Sequence, residues 1–275
     1  MTPAADVSDL VDAAAIERYR ADGCVVVRSL FSADEVAAVR RGIERNLTDP
    51  SPLFGVASRH DDPGRFVEDF CNWQRIEEFR AIAFDSRAAD VAATLMGSRV
   101  VRLYHDHLLV KEPGTRQPTP WHQDQPYYNV DGVDNVSMWM PVDPVPAEST
   151  LEFWAGSHRG AWLMPRTFLT EQATWFPEGS LAEIPDIEAD RGAFDIRGWA
   201  LEPGDAVFFH MLTAHHAYGV PGASRRRVFS LRFLGDDARH APRGWRTSPP
   251  FDGLAHELPP GAPMDHPLFP ILRER

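Results

Sequence analysis

Thr119-Pro120-Trp121-His122-Gln123-Asp124-Gln125-Pro126-Tyr127-Tyr128 places an imidazole and a carboxylate two residues apart. On a β-strand, residues i and i+2 share a face, so His122 and Asp124 would project together. A histidine from another strand would complete a two-histidine, one-carboxylate facial triad, which leaves open positions on an Fe(II) ion. Trp121, Tyr127 and Tyr128 add aromatic walls, and apolar walls with a few polar groups are how small-molecule pockets are built. The spacing alone is a weak signal: with 11 histidines in the chain, about one such pair is expected by chance. A second copy, His60-Asp61-Asp62, lies in a Pro-, Gly- and Asp-rich loop without strand character and reads as solvated surface.

Around this segment the chain changes character. Residues 1–9 read as a disordered lead. Asp12 to Ala21 reads as a helix, and Cys24-Val25-Val26-Val27 as a short buried strand. Ser32-Ala33-Asp34-Glu35 is a capping box that opens a helix to about Leu47. Residues 48–66 read as loop, and residues 67–96 carry helical periodicity, with Gly97 as a stop. From Arg99 the pattern alternates. Strand candidates are Arg99–Lys111, Val136–Val142, Ser149–Trp154, Ala206–His210 and Arg227–Leu234, separated by Pro and Gly turns. The expected organisation is one domain over 1–275: a helical layer over 10–98, a β body over 99–239 and an extended C-terminal strap over 240–275. Residues 157–200 are long, acidic and aromatic; a loop of that length inside a compact domain is usually functional, and it reads as an active-site lid.

Composition narrows the function classes. The 275 residues carry a formal net charge of −12, which argues against a general nucleic-acid or anionic-membrane surface. Hydrophobic content of 43% supports a sizeable core. Cys24 and Cys71 form no CxxC pattern and read as buried thiols in a reducing compartment. Neither a signal-peptide pattern nor a membrane-spanning apolar run is visible, so the expected location is the cytoplasm. Oligomeric state is left open.

The third ligand should come from the far end of the β body, where three histidines compete. His210 directly follows the apolar run Ala206-Val207-Phe208-Phe209 and reads as a structural histidine bonded to backbone. His215 and His216 are adjacent, so on a strand only one of them can face His122 and Asp124; alternation does not choose between them. An iron oxygenase using 2-oxoglutarate also needs a buried cation for the distal carboxylate, and arginine suits that bidentate geometry. Ser224-Arg225-Arg226-Arg227-Val228-Phe229-Ser230-Leu231-Arg232-Phe233 offers candidates. Arg226, Val228, Ser230 and Arg232 share one face, and Arg225, Arg227, Phe229, Leu231 and Phe233 the other.

Together these segments resemble the phytanoyl-CoA dioxygenase family of Fe(II)/2-oxoglutarate-dependent oxygenases. The resemblance runs from Tyr19-Arg20-Ala21-Asp22-Gly23 through His107-Leu108-Leu109-Val110-Lys111-Glu112-Pro113-Gly114, Trp121-His122-Gln123-Asp124-Gln125 and Leu151–Gly160 to Pro203–His210 and the arginine strand. It implies a mainly β fold with α additions: a double-stranded β-helix (jelly-roll, cupin-like) core with N-terminal helices packed on it. It also implies His122 and Asp124 as iron ligands. In the family the distal metal histidine precedes the co-substrate arginine by eleven residues, a separation that selects His215 with Arg226 and leaves His216 as the competing choice. Trp139 falls near the family's tryptophan beside the co-substrate, and His107 where relatives place a side chain lining the same site.

The reaction so implied consumes Fe(II), 2-oxoglutarate and O₂ and oxidises, most simply hydroxylates, a C–H bond of a small molecule. Asp124 stands where halogenating relatives carry a small residue, so the resemblance points away from halogenation. The acidity of the chain argues against a CoA thioester as substrate. Two other classes remain open from the residues. A cupin-like isomerase or hydrolase would use the triad with zinc and need no Arg226. A non-catalytic binding module would take its ligand without metal.

Overall fold

The computed structural model describes residues 7–164, 176–177, 179–220, 222 and 224–275. Two of its N-terminal helices are capped as their sequence dictates. Val7–Leu10 forms a short helix α1, so part of the expected lead is helical, while residues 1–6 lie outside the described residues. Helix α2 (Ala13–Asp22) starts on Asp12, whose side chain accepts the Ala15 N–H at 2.6 Å, and stops on Gly23 at φ +78°, a conformation open to glycine. Helix α3 (Ala33–Thr48) carries the full capping box between Ser32 and Glu35. Two shorter helices follow, α4 (Glu77–Asp85) and α5 (Ala88–Met96).

The expectation of helix from residue 67 is corrected: Phe66–Phe70 is a strand. Its alternation is hidden from sequence because Glu68 and Asp69 sit where apolar residues would announce it. Asp69 is fully buried, accepting from Asn46 Nδ2 at 3.0 Å and from the Ser51 N–H at 2.9 Å. Those bonds compensate the burial of its charge. The helical layer is therefore threaded by three strands: β1 (Cys24–Val27), β2 (Gly55–Val56) and β3 (Phe66–Phe70).

The remaining strands build the body. They are β4 (Val100–Lys111), β5 (Thr119–His122), β6 (Val130–Asp131), β7 (Asn135–Pro141), β8 (Leu151–Trp154), β9 (Ile196–Gly198), β10 (Ala206–Phe209), β11 (His215–Ala217), β12 (Arg226–Leu234), β13 (Arg239–His240) and β14 (Ile271–Glu274). Among the described residues, the larger sheet has the order β1-β10-β7-β12-β4-β3-β2, with β14 added on β4; the smaller has the order β5-β11-β8-β9. All the pairings in both sheets are antiparallel. This is the expected double-stranded β-helix with helices on its outer face.

Period-2 alternation sorts the side chains. On β12, Phe229, Leu231 and Phe233 join the core beneath the helices, where Phe79 of α4 stacks on Phe229 with centroids 4.3 Å apart. Val136, Met138 and Met140 of β7 turn the same way. Full burial of each such side chain contributes about 1.5–3 kcal/mol. The opposite faces of β7 and β12 carry Trp139 and Val228, which pack with Leu151, Phe153, Phe209 and Ala217 in a core between the two sheets. That inner core stops short of one end of the sandwich, where polar side chains take over.

The C-terminal segment is more ordered than an extended strap: β13 pairs with β6 and β14 with β4. Of the expected lid, residues 165–175 and 178 lie outside the described residues. Its end is not loop, because β9 pairs with β8 and extends the smaller sheet.

Candidate metal centre

Strands β5 and β11 are antiparallel neighbours, and His215 lies directly opposite His122. The two rings come to 4.2 Å between centroids. Asp124 follows β5 in a tight turn pinned to the loop before β11, where the N–H groups of Asp124 and Gln125 both donate to the Met211 carbonyl, at 2.8 and 3.0 Å. One donor atom from each of His122, Asp124 and His215 lies within 4.8 Å of the others, and all three residues are buried.

The donor set fits a metal ion. Each histidine is fixed in the same way: His122 Nδ1 lies 2.8 Å from the Pro120 carbonyl, and His215 Nδ1 lies 2.9 Å from the Thr213 carbonyl. A carbonyl only accepts, so Nδ1 carries the proton in both rings and Nε2 keeps its lone pair, the tautomer a metal requires. Both Nε2 atoms stand 3.7 Å from Asp124 Oδ1. Burial lowers both imidazole pKa values, with His215 pushed down to about 3, so both rings are neutral near pH 7.

The other oxygen of Asp124 is already engaged. Oδ2 accepts from Ser137 Oγ at 2.8 Å and from Arg232 Nε at 3.0 Å. Burial raises the Asp124 pKa, but the positive charge of Arg232, the two imidazoles and the Ser137 hydroxyl outweigh it and hold the carboxyl well below its usual range. Asp124 is thus an ionised carboxylate with one oxygen anchored and the other directed at two imidazole nitrogens. Arg232 is fixed in turn by the Tyr128 hydroxyl at 3.0 Å. The register explains the convergence, since Arg232 pairs with Ser137 across β12 and β7.

A cavity opens beside the triad, and His122, Asp124 and His215 all line it. Arg226, Trp139 and His107 all line it, together with Lys111 and Phe66. Arg226 is buried, donates to the carbonyls of Ser149 and Tyr218, and lies with its guanidinium 5.9 Å from the Trp139 ring centroid. Burial alone pushes its pKa down to about 10, so it remains a cation at neutral pH. His107 stacks on Phe70 at 4.0 Å, and its Nε2 is 3.3 Å from Glu68 Oε2. Burial raises the Glu68 pKa to about 7.

His216 turns to the other side of the smaller sheet. It packs on Trp121, 5.1 Å between centroids, and on Tyr218, 4.3 Å. His210 is bonded to backbone as expected: its Nε2 lies 3.0 Å from the Val133 carbonyl, and its Nδ1 accepts the Leu212 N–H. The His60-Asp61-Asp62 copy is a loop anchor, where Asp62 accepts the backbone N–H groups of Arg116 and Gln117. Arg225 and Arg227 are paired with Glu112, Glu44 and Asp143.

Sequence reasoning did not assign Arg232, Ser137, Glu68 or Lys111 to the site. The signal for Arg232 was present, since it shares a strand face with Arg226. The others depend on cross-strand register, which a single sequence does not give.

The family model for phytanoyl-CoA dioxygenase (PhyH) matches residues 19–228. An ectoine dioxygenase from Stutzerimonas stutzeri (strain A1501) is 29% identical over 245 residues, which cover 82% of this chain and 78% of the relative. Among solved structures, the non-heme alpha ketoglutarate dependent carbocyclase SnoK from nogalamycin biosynthesis superposes with a TM-score of 0.74 at 24% identity, covering 96% of this chain and 97% of that one. The non-heme alpha ketoglutarate dependent epimerase SnoN from the same biosynthesis gives 0.72 at 24% identity, covering 96% and 98%. At these identities the two structures establish the shared fold.

Proposed function

The chain belongs to the phytanoyl-CoA dioxygenase family and is a 2-oxoglutarate-dependent non-haem iron dioxygenase; from that premise we propose that it hydroxylates a C–H bond of a small molecule at the His122–Asp124–His215 centre. The observation that carries this reading is the directed carboxylate, with Asp124 Oδ1 facing two Nε2 atoms fixed by backbone carbonyls behind them. His122, Asp124 and His215 would hold Fe(II), and Arg226 would take the distal carboxylate of 2-oxoglutarate. When bound, iron and 2-oxoglutarate supply the oxidising power of the reaction: O₂ is consumed, 2-oxoglutarate leaves as succinate and CO₂, and the substrate gains an oxygen atom.

The chain's own contributions are orientation and exclusion of water. Backbone carbonyls hold the imidazoles in one tautomer, and Arg232 with Ser137 stops the Asp124 carboxylate from rotating. Trp139 walls the co-substrate side beside Arg226. His107 and the partly buried Glu68 offer hydrogen-bonding groups where a substrate would lie. An aspartate at position 124 occupies the place that a halide would need, which favours hydroxylation. The described part of residues 157–200 would cover the substrate: Phe176 meets the Tyr127 ring edge-on at 5.9 Å, and Glu188 accepts from Trp121 Nε1 at 2.8 Å. Membership of this family, with a cavity arginine that has no carboxylate partner among the described residues, disfavours a zinc isomerase or hydrolase.

The direct test is succinate formation from 2-oxoglutarate with Fe(II), ascorbate and O₂ against a panel of small molecules. Ectoine belongs in it because the curated relative acts on that compound by name. Substrate-stimulated succinate with an added oxygen atom in the partner product is expected. Succinate accompanied by a halogenated product would overturn hydroxylation.

A further inference from the structure

One acid beside the cavity has no cation to answer it. Strand β3 alternates: Phe66, Glu68 and Phe70 share one face, and Val67 and Asp69 the other. Val67 joins the core beneath the helices, and Asp69 is bonded to Asn46 and Ser51. The first face turns to the site. Phe66 lines the cavity, and Phe70 stacks on His107, which lines it too. Glu68 stands between these two rings, with its side chain 18% exposed and its Oε2 3.3 Å from His107 Nε2. Glu68 and His122 sense each other's charge, and Tyr127 senses Glu68 as well, so the carboxyl group lies near the triad.

Register sets Glu68 apart from the arginine of the cavity. Arg226 pairs with Lys111, and Lys111 with Phe66. Glu68 pairs with Leu109 and bonds to His107, farther along the sheet towards Arg232. The cavity therefore has a cationic end, which suits a dicarboxylate, and a separate acidic position, which repels one.

His107 is the one hydrogen-bonding partner of Glu68 among the described residues, and burial keeps that imidazole neutral. No lysine or arginine pairs with Glu68 there. A largely buried carboxylate with only a neutral partner is uncompensated. A neutral hydroxyl would occupy a lone pair but leave the charge unanswered. A positive group would answer it, and the faces of neighbouring aromatic rings favour the same charge.

We propose that Glu68 is a substrate-binding residue and that the substrate carries a protonated nitrogen, held by the Glu68 carboxylate beside Phe66 and Phe70. The proposal rests on the hydroxylation reading given above and names the class of molecule that enters that site. His107 orients the carboxylate, and the bound cation brings a neighbouring C–H bond to the metal. Tyr127, edge-on to His122 at 6.1 Å, carries the aromatic surface on to Phe176 and Trp245, where an apolar body attached to the nitrogen would pack. Burial works against the charge of Glu68, with His122 opposing that effect and Asp69 adding to it; a cation beside the group restores the carboxylate.

The test is anaerobic calorimetry of benzylamine and of benzyl alcohol, alike in shape and different in charge, on wild type and Glu68→Gln loaded with Fe(II) and 2-oxoglutarate. Glutamine keeps the size of the side chain and a hydrogen-bonding group for His107. Wild type is expected to bind benzylamine about tenfold or more tightly than benzyl alcohol, and Glu68→Gln to lose that preference by weakening benzylamine alone. Benzylamine that fails to bind wild type, or binds no tighter than benzyl alcohol, would overturn the role of Glu68 while leaving the hydroxylation reading intact. So would a benzylamine affinity that survives the substitution, or equal weakening of both probes. Loading with 2-oxoglutarate is read separately in the same instrument, and wild type that fails to bind it would instead defeat the underlying reading. Should Glu68→Gln fold poorly, Glu68→Met serves the same comparison, and the wild-type preference for the amine is decided without either variant.

Discussion

Asp124→Ala is expected to abolish succinate formation and to destabilise the fold, two losses with different causes. The first follows from removing the only carboxylate among the three donor residues that come within 4.8 Å of one another. The second follows from Arg232. Its Nε lies 3.0 Å from Asp124 Oδ2, and both side chains are 5% exposed. Deleting one partner of a buried pair strands the other, at a cost of about 3–5 kcal/mol. Tyr128 and Ser230 still accept from the guanidinium, but neither supplies a negative charge. Chemical denaturation separates the two effects. Asp124→Ala should unfold at lower denaturant than wild type, whereas Asp124→Ala with Arg232→Met should recover most of that stability and remain inactive. An Asp124→Ala protein as stable as wild type would mean that the Arg232 pair contributes little.

Arg226→Met should leave iron in place while raising the 2-oxoglutarate concentration needed for half-maximal rate by about a hundredfold or more. Charge-assisted bidentate bonds are among the strongest a protein makes to a carboxylate, and the site is sheltered from water. Because Arg226 has no carboxylate partner of its own among the described residues, its replacement leaves no opposite charge stranded, and the melting temperature should hold. Steady-state kinetics with 2-oxoglutarate varied at saturating Fe(II) reads the effect. An unchanged half-saturating concentration would show that the distal carboxylate lies elsewhere.

How much of this was legible in the sequence depends on the kind of signal. The sequence singled out His122, Asp124 and His215, but it put His122 and Asp124 on one strand, whereas Asp124 lies in the turn after β5, and it was the family resemblance, through the eleven-residue separation from Arg226, that selected His215. The β body was legible from alternation, and α3 from its capping box. The strand Phe66–Phe70 was not: its buried acid looks polar in sequence, and the helical periodicity beginning at Ile76 could be extended back over it. The Arg232–Ser137–Asp124 cluster was hidden for a different reason. It exists only because β7 and β12 pair in one register, and a slip of one residue would turn Arg232 to the helices. Lys111 went unassigned because a lysine at a strand end ordinarily reaches solvent, and its burial depends on β11 and β3 closing over it.

The placement of His216 also follows from alternation, once the register of β11 against β5 is known. Its ring lies against Trp121 and Tyr218, on the face away from Asp124. Anaerobic Fe(II) binding to wild type, His215→Ala and His216→Ala therefore tests the central claim most directly. One iron per chain in wild type and in His216→Ala, with binding lost in His215→Ala, is the predicted result. Iron retained by His215→Ala and lost from His216→Ala would contradict it.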